Sequence, residues 1–185
     1  MQPEKFYEAC ITYNIVDFYK SNTNRRVYPF SISQNRENKE GYDFGYEVDS
    51  DLFMIQYKRP ENITLDNKLT WKIDEEQLNT ILNSGIDDSI FYCLPGFSDY
   101  RNWYDALKMT YFAVPSDICT YLKRNCRKSI SSNAEILRSW FDIYNFIENR
   151  FLRKGLAHNI NHRNVDIKDK LINVSNDNSI FYIIS

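Results

Sequence analysis

Residues 41–60, GYDFGYEVDSDLFMIQYKRP, decide the fold. Two runs of β-prone side chains, Tyr42 to Val48 and Leu52 to Lys58, flank a short acidic turn, a pattern that predicts an antiparallel hairpin. Pro60 ends the second strand, because proline has no N–H to give to a ladder. Gln56 and Lys58 lie two apart and so share a strand face with Met54, while Ile55 and Tyr57 take the other. With the turn centred near Asp49 and Ser50, Asp43 falls across from about Tyr57, between Gln56 and Lys58. A carboxylate, an amide and an ammonium therefore converge at one end of the hairpin.

That set suits phosphodiester hydrolysis, which needs a hard divalent cation held by oxygen, a positioned water, and positive charge near the developing phosphorane. Asp43 offers a carboxylate, Gln56 a side-chain carbonyl and Tyr57 its backbone carbonyl as ligands for Mg2+ or Mn2+. Lys58 is placed to orient the attacking water and stabilise charge. No nucleophile with a base partner and no glycine-rich phosphate loop accompanies them, so acyl transfer and nucleotide kinase chemistry gain no support. The alternative places Asp43, Gln56, Lys58 and Arg59 on the solvated face of an edge strand, without chemistry.

Working outward, residues 4–20 space apolar side chains three and four apart, as an amphipathic opening helix does. Val27 to Ile32 alternates as a strand. Asp74 is placed to cap a helix over EEQLNTILN, with Gly85 past its end, and Ile90 to Leu94 reads as a buried central strand. The resulting order is α, β, β, β, α, β, in an α/β fold. Beyond Phe97 the texture turns helical: NWYDALKM behind Asp99, ICTYLKRN behind Pro115 to Asp117, and a long run from Ala134 to Lys154 ended by Gly155. A terminal strand is expected over Ser179 to Ile184. Residues 1–97 thus form an α/β core, and residues 98–185 a mainly helical extension packed with it as one domain.

The hairpin resembles the core of the PD-(D/E)xK nuclease superfamily, and most of all its Mrr-type restriction endonuclease branch. There an Asp in a glycine-containing turn precedes an apolar strand ending Gln-x-Lys; here these are Gly41-Tyr42-Asp43 and Met54-Ile55-Gln56-Tyr57-Lys58-Arg59. The resemblance covers about half the chain and implies a restriction-endonuclease-like αβββαβ core with a mixed central sheet. It implies a Mg2+- or Mn2+-dependent endonuclease acting on DNA in restriction, repair or phage defence. Asp43, Gln56 and Lys58 would be its catalytic residues, Asp43, Gln56 and Tyr57 its metal ligands, and a Glu from the opening helix would assist. Glu8 is the better-placed candidate for that role, with Glu4 behind it. Tyr stands where the family has Pro before the Asp, and Gln where it has an acidic residue; an amide ligates less strongly than a carboxylate. A catalytically inactive nuclease-fold protein that binds nucleic acid or a protein partner is the alternative.

The chain as a whole has 185 residues, with 43% hydrophobic, 26% charged and 16% aromatic side chains, including 14 Tyr and 12 Phe. This is enough to build a core without a metal or disulfide staple, despite a mean hydropathy of −0.56. Cys10, Cys93, Cys119 and Cys126 form no CxxC pair and read as small buried hydrophobes; Trp71, Trp103 and Trp140 read as packing residues. No stretch is apolar enough to span a membrane and the N-terminus is charged where a signal peptide is apolar, so a cytoplasmic protein is expected.

The net charge of −2 is unevenly spread: residues 1–120 hold 12 Lys and Arg against 19 Asp and Glu, residues 121–170 hold 11 against 5. Within the basic part, Lys123, Arg124, Arg127, Lys128, Arg150, Arg153 and Lys154 cluster near two helix ends and are candidates to grip phosphates, or are simply cations that helix dipoles favour there. Glu37 and Glu40 before Asp43, and the pair His158 and His162, are weaker metal-ligand candidates than solvated loop residues. Double-strand cleavage by one site per chain would call for a homodimer.

Overall fold

Helix α1 (Glu4–Thr23) leads into strands β1 (Val27–Ser31), β2 (Phe44–Val48) and β3 (Asp51–Tyr57). Two short strands, β4 (Asn62–Ile63) and β5 (Leu69–Lys72), precede helix α2 (Glu75–Asn83) and strand β6 (Ile90–Pro95). A 3-10 stretch (Tyr100–Met109), β7 (Thr110–Ala113), α3 (Pro115–Asn125), β8 (Ser129–Ser131), α4 (Trp140–His158) and β9 (Phe181–Tyr182) follow. The computed structural model describes residues 2–33, 39–63, 68–158 and 181–182.

The 41–60 segment is the hairpin its pattern predicts. Val48 pairs with Asp51 across a two-residue turn in which Asp49 takes a φ of 58°, a conformation that short polar side chains tolerate. The register runs back to Phe44 opposite Ile55, and the Asp43 N–H donates to the Ile55 carbonyl at 3.0 Å. The ladder ends at this pair, and Asp43 bonds Ile55 through its backbone and the Tyr57 N–H through its carboxylate rather than lying directly across from Tyr57.

The strands form a mixed sheet in the order β7-β6-β3-β2-β1, with the two-residue β9 at the β1 edge. The pairs β1–β2, β2–β3 and β6–β7 are antiparallel, and β3–β6 is parallel. Both faces of this sheet are covered. On one, Phe44, Tyr46, Phe53, Ile55, Tyr57, Phe91 and Phe112 pack with the buried side of α1 and with Trp140, Ile143 and Ile147 of α4. On the other, Met54, Ile90, Tyr92 and Leu94 pack with Leu78 and Ile81 of α2, and with Ile118 and Leu122 of α3. This three-layer arrangement explains the continuous apolar run at β6, whose six residues are all buried.

The second half of the chain carries two strands besides its helices and the terminal strand. Its β7 completes the main sheet beside β6, and its β8 pairs with β5 in a separate sheet of order β4-β5-β8. The division at residue 97 therefore runs through shared sheets. Tyr100–Met109 is a 3-10 stretch, opened by Asp99, whose carboxylate accepts from the Arg101 N–H at 2.9 Å. Residues 134–139 are not helical: Arg138 bridges to Phe112 through reciprocal backbone bonds, and α4 begins only at Trp140. It continues past Gly155 to His158. Of the terminal strand, Phe181–Tyr182 is described; Glu37, His162 and the rest of that strand lie outside the described residues. Cys10 and Cys93 are buried, whereas Cys119 is half-buried and Cys126 exposed, so two of the four cysteines depart from the buried expectation. Among the described residues no helix is long and apolar enough to cross a membrane.

Candidate active site

The residues that matter sit where β3 runs out. Asp43 stands just before β2, on a chain that reaches it through Gly41, whose φ of 79° and close approach to Ile81 of α2 leave no room for a Cβ. The Asp43 carboxylate is buried and accepts two hydrogen bonds through Oδ2, from Gln56 Nε2 at 2.8 Å and from the Tyr57 backbone N–H at 2.6 Å. Gln56 Nε2 also donates to the Tyr57 carbonyl at 3.0 Å. Of the three groups expected to hold a cation, Asp43 and the Tyr57 carbonyl are thus each within hydrogen-bond reach of the Gln56 amide.

At the centre of this set is the Gln56 amide. Its NH2 bonds two oxygens of the expected ligand set, while its own Oε1 is buried and has no hydrogen-bond partner among the described residues. A buried carbonyl without a partner costs on the order of 1–3 kcal/mol. Tyr92 is the register partner of Gln56 on parallel β6, and its buried hydroxyl likewise has no partner among the described residues. Burial pushes the Tyr92 hydroxyl above its ordinary ionisation range, helped by the nearby charges of Asp74 and Asp43. Burial does the same for Cys93, with Cys10 and Asp43 adding to it.

Lys58 leaves the ladder after its backbone N–H donates to the Cys93 carbonyl at 3.0 Å. Its side chain lines an open polar cleft of about 220 Å³ shared with Glu4, Arg59, Glu61, Lys72 and Asp74. Glu4, at the start of α1, accepts from the Arg59 N–H at 3.2 Å. Of the two helix glutamates, then, Glu4 borders the Lys58 cleft. Glu8 is buried one turn further along, paired with Lys5 at 2.7 Å, and its charge reaches the buried Tyr46. Asp74 caps α2 by accepting from the backbone N–H groups of Glu76 and Gln77 at 2.9 and 3.0 Å. Glu40, before Gly41, is half-buried.

The seven basic candidates separate into different roles. Lys123, Arg127 and Lys128 border an open groove of about 310 Å³ between α2 and α3, whose lining includes Leu78, Leu122 and Cys119. Arg124 faces Glu135 at 3.5 Å. Arg150 is turned inward: its guanidinium donates to Ser89 Oγ and to the Leu52 carbonyl, and burial lowers its pKa. Arg153 is exposed, and the Lys154 side chain lies outside the described part.

Tyr92, Lys72 and Glu61 join the site without having been picked out from the sequence. Their approach depends on the parallel β3–β6 register and on the β4–β5 excursion, neither of which leaves a local pattern to read. Among the described residues, no group of three His, Cys, Asp or Glu side chains stands close enough to hold a metal ion, so a cation here would rely on Gln56 and the Tyr57 carbonyl beside Asp43. No protein-family model matches the chain, and no curated protein matches it.

Proposed function

We propose that this chain is a Mg2+- or Mn2+-dependent nuclease domain of the PD-(D/E)xK type, hydrolysing phosphodiester bonds in DNA. The observation that carries the reading is that Asp43 Oδ2 and the Tyr57 carbonyl each lie within 3.0 Å of the Gln56 amide nitrogen, with Gln56 Oε1 unpartnered among the described residues. The order α1, β1, β2, β3, α2, β6 around a mixed sheet, interrupted by the short strands β4 and β5 of the separate sheet, supports it as well.

These residues fit a hard cation. A half-turn of the Gln56 amide replaces Nε2 by Oε1 and gathers three oxygens where two oxygens and an amide nitrogen now meet, a donor set suited to Mg2+. When bound, the cation would supply Lewis acidity and a coordinated water of lowered pKa. Asp43 would anchor that group through its negative charge, in a place where burial strengthens the attraction. Lys58, in the cleft beyond, would orient the water and offset charge on the phosphoryl oxygens. Restriction, repair or phage defence is the setting this chemistry would serve.

A plasmid-nicking assay tests the reading, with Mg2+ or Mn2+ and with EDTA, on the natural chain, Asp43→Ala and Lys58→Ala. Cation-dependent nicking is expected only from the natural chain. Nicking that survives both substitutions refutes the assignment. The second reading, an inactive protein that keeps the nuclease fold, is favoured by the amide nitrogen of Gln56 lying between the two ligand oxygens. It predicts no nicking and no rise in melting temperature with Mn2+.

A further inference from the structure

The Lys58 cleft and the α2–α3 groove adjoin one another. Asp74 lines the cleft and Glu75, the next residue, lines the groove, so only the first turn of α2 separates them. Lys72, in the cleft, sits opposite Ser129 in the β5–β8 ladder, and the Lys128 carbonyl accepts from the Ile73 N–H at 3.1 Å. The small sheet therefore joins the backbone at Lys72 of the cleft to the backbone at Lys128 of the groove. Lys58 and Lys72 line the cleft together with Glu4, Glu61 and Asp74, and Lys128, Arg127 and Lys123 line the groove. The acidic neighbours on the α2 side are partly committed: Asp74 caps the helix, and Glu75 lies 3.9 Å from Lys128. The groove adds Leu78 and Leu122 to its lining and Asn79 at its edge, a place for a flat apolar ring with one polar contact.

We propose that the cleft and groove form one track for a single nucleic-acid strand, with phosphates on Lys72, Lys128, Arg127 and Lys123 and an unpaired base in the α2–α3 groove. The inference rests on the nuclease reading for the end at Lys58 and extends it by naming the form of the substrate. A row of cations suits a polyanion, and each phosphate contact on a single strand steepens the dependence of binding on salt. The apolar lining favours a strand whose bases are free to turn outward over a duplex whose bases are stacked inside.

Fluorescence anisotropy in EDTA tests this without metal or cleavage, using a labelled single-stranded oligonucleotide and the same sequence as a blunt duplex. The full chain is expected to bind the single strand more tightly. Lys72→Ala and Lys128→Ala should each weaken that binding and lower the slope of log K against log salt by about 0.7. Lys108→Ala, on an exposed lysine outside the track, should change neither. Unchanged affinity and slope in both track variants, equal affinity for the duplex, or no binding at low salt would each overturn the track. Nicking by the natural chain would stand through all three results, and loss of nicking would leave a positive binding result intact.

Discussion

Gln56 is the residue on which the proposed chemistry turns, and its neighbours say how to test it. The Asp43 carboxylate 2.8 Å away is content with an amide nitrogen and would not be content with another carboxylate. In Gln56→Glu two buried acids would share that space, which raises the pKa of the pair. A raised carboxyl pKa contributes stability at pH below the unfolded value of about 4.3, and that contribution is lost as pH rises through the folded value. Metal-free Gln56→Glu should therefore melt several degrees below the natural chain at pH 7.5 and approach it near pH 4.5. Mn2+ should raise its melting temperature more than that of the natural chain, since a second carboxylate ligates more strongly; thermal unfolding with and without Mn2+ reads both effects. Asp43 and Gln56 were legible in the sequence because the hairpin that joins them is local and its turn is polar. Which helix glutamate borders the cleft was not, because Glu4 and Glu8 differ by one turn and only the packing of α1 on the sheet separates them.

At the level of elements, α4 shows why charge alone misleads. Arg150 belongs to a basic cluster in the sequence, yet it lies on the side of the helix that faces β3 and the turn at Asp87–Ser89, where it bonds Ser89 and the Leu52 carbonyl. Arg150→Ala should leave those buried acceptors without a donor and cost about 2–4 kcal/mol, read from urea unfolding, while leaving DNA affinity unchanged. A fall in affinity with unchanged stability would return Arg150 to the phosphate-gripping set. Arg25 fixes the same helix from its other neighbours, with Nε 2.7 Å from Asp49 in the hairpin turn and a guanidinium NH 2.6 Å from Glu148. The opening helix, the hairpin, the Asp74-capped helix and the β6 run were all readable from period and punctuation. The 3-10 stretch was read as helix because NWYDALKM carries the right composition behind a good cap. Residues 134–139 were absorbed into α4 because their bridge to Phe112 is a long-range contact with no signature in spacing. The strands β5, β7 and β8 are only 3–4 residues long, too short for alternation to announce them.

Across the whole molecule, the core carries many buried phenols and thiols whose charged forms the interior rejects. Burial raises the pKa of Tyr46, Tyr57, Tyr92 and Cys93, and pushes the Cys10 thiol up to about 12. These groups ionise more easily in the unfolded chain, near 9 for thiols and 10 for phenols. Their stabilising contribution is complete below those values and disappears as pH climbs toward the folded ones. The urea midpoint should accordingly stay level to about pH 8.5 and fall steadily from pH 9 to 12; a flat profile over that range would contradict the packing of these side chains. The parallel β3–β6 pair has a consequence in time. The β2–β3 hairpin closes locally, but β6 can join β3 only after residues 58–89 have looped out and returned, a closure that is entropically later. The Asp43–Gln56 hairpin is therefore available early, whereas Lys72 and Asp74 arrive with the returning segment. Pulsed hydrogen exchange during refolding should show β2–β3 amides protected before those of β6. A chain still emerging from the ribosome would then carry the oxygen ligands of the proposed nuclease site before the cleft wall beside them, and would complete that site only when its synthesis is well past it.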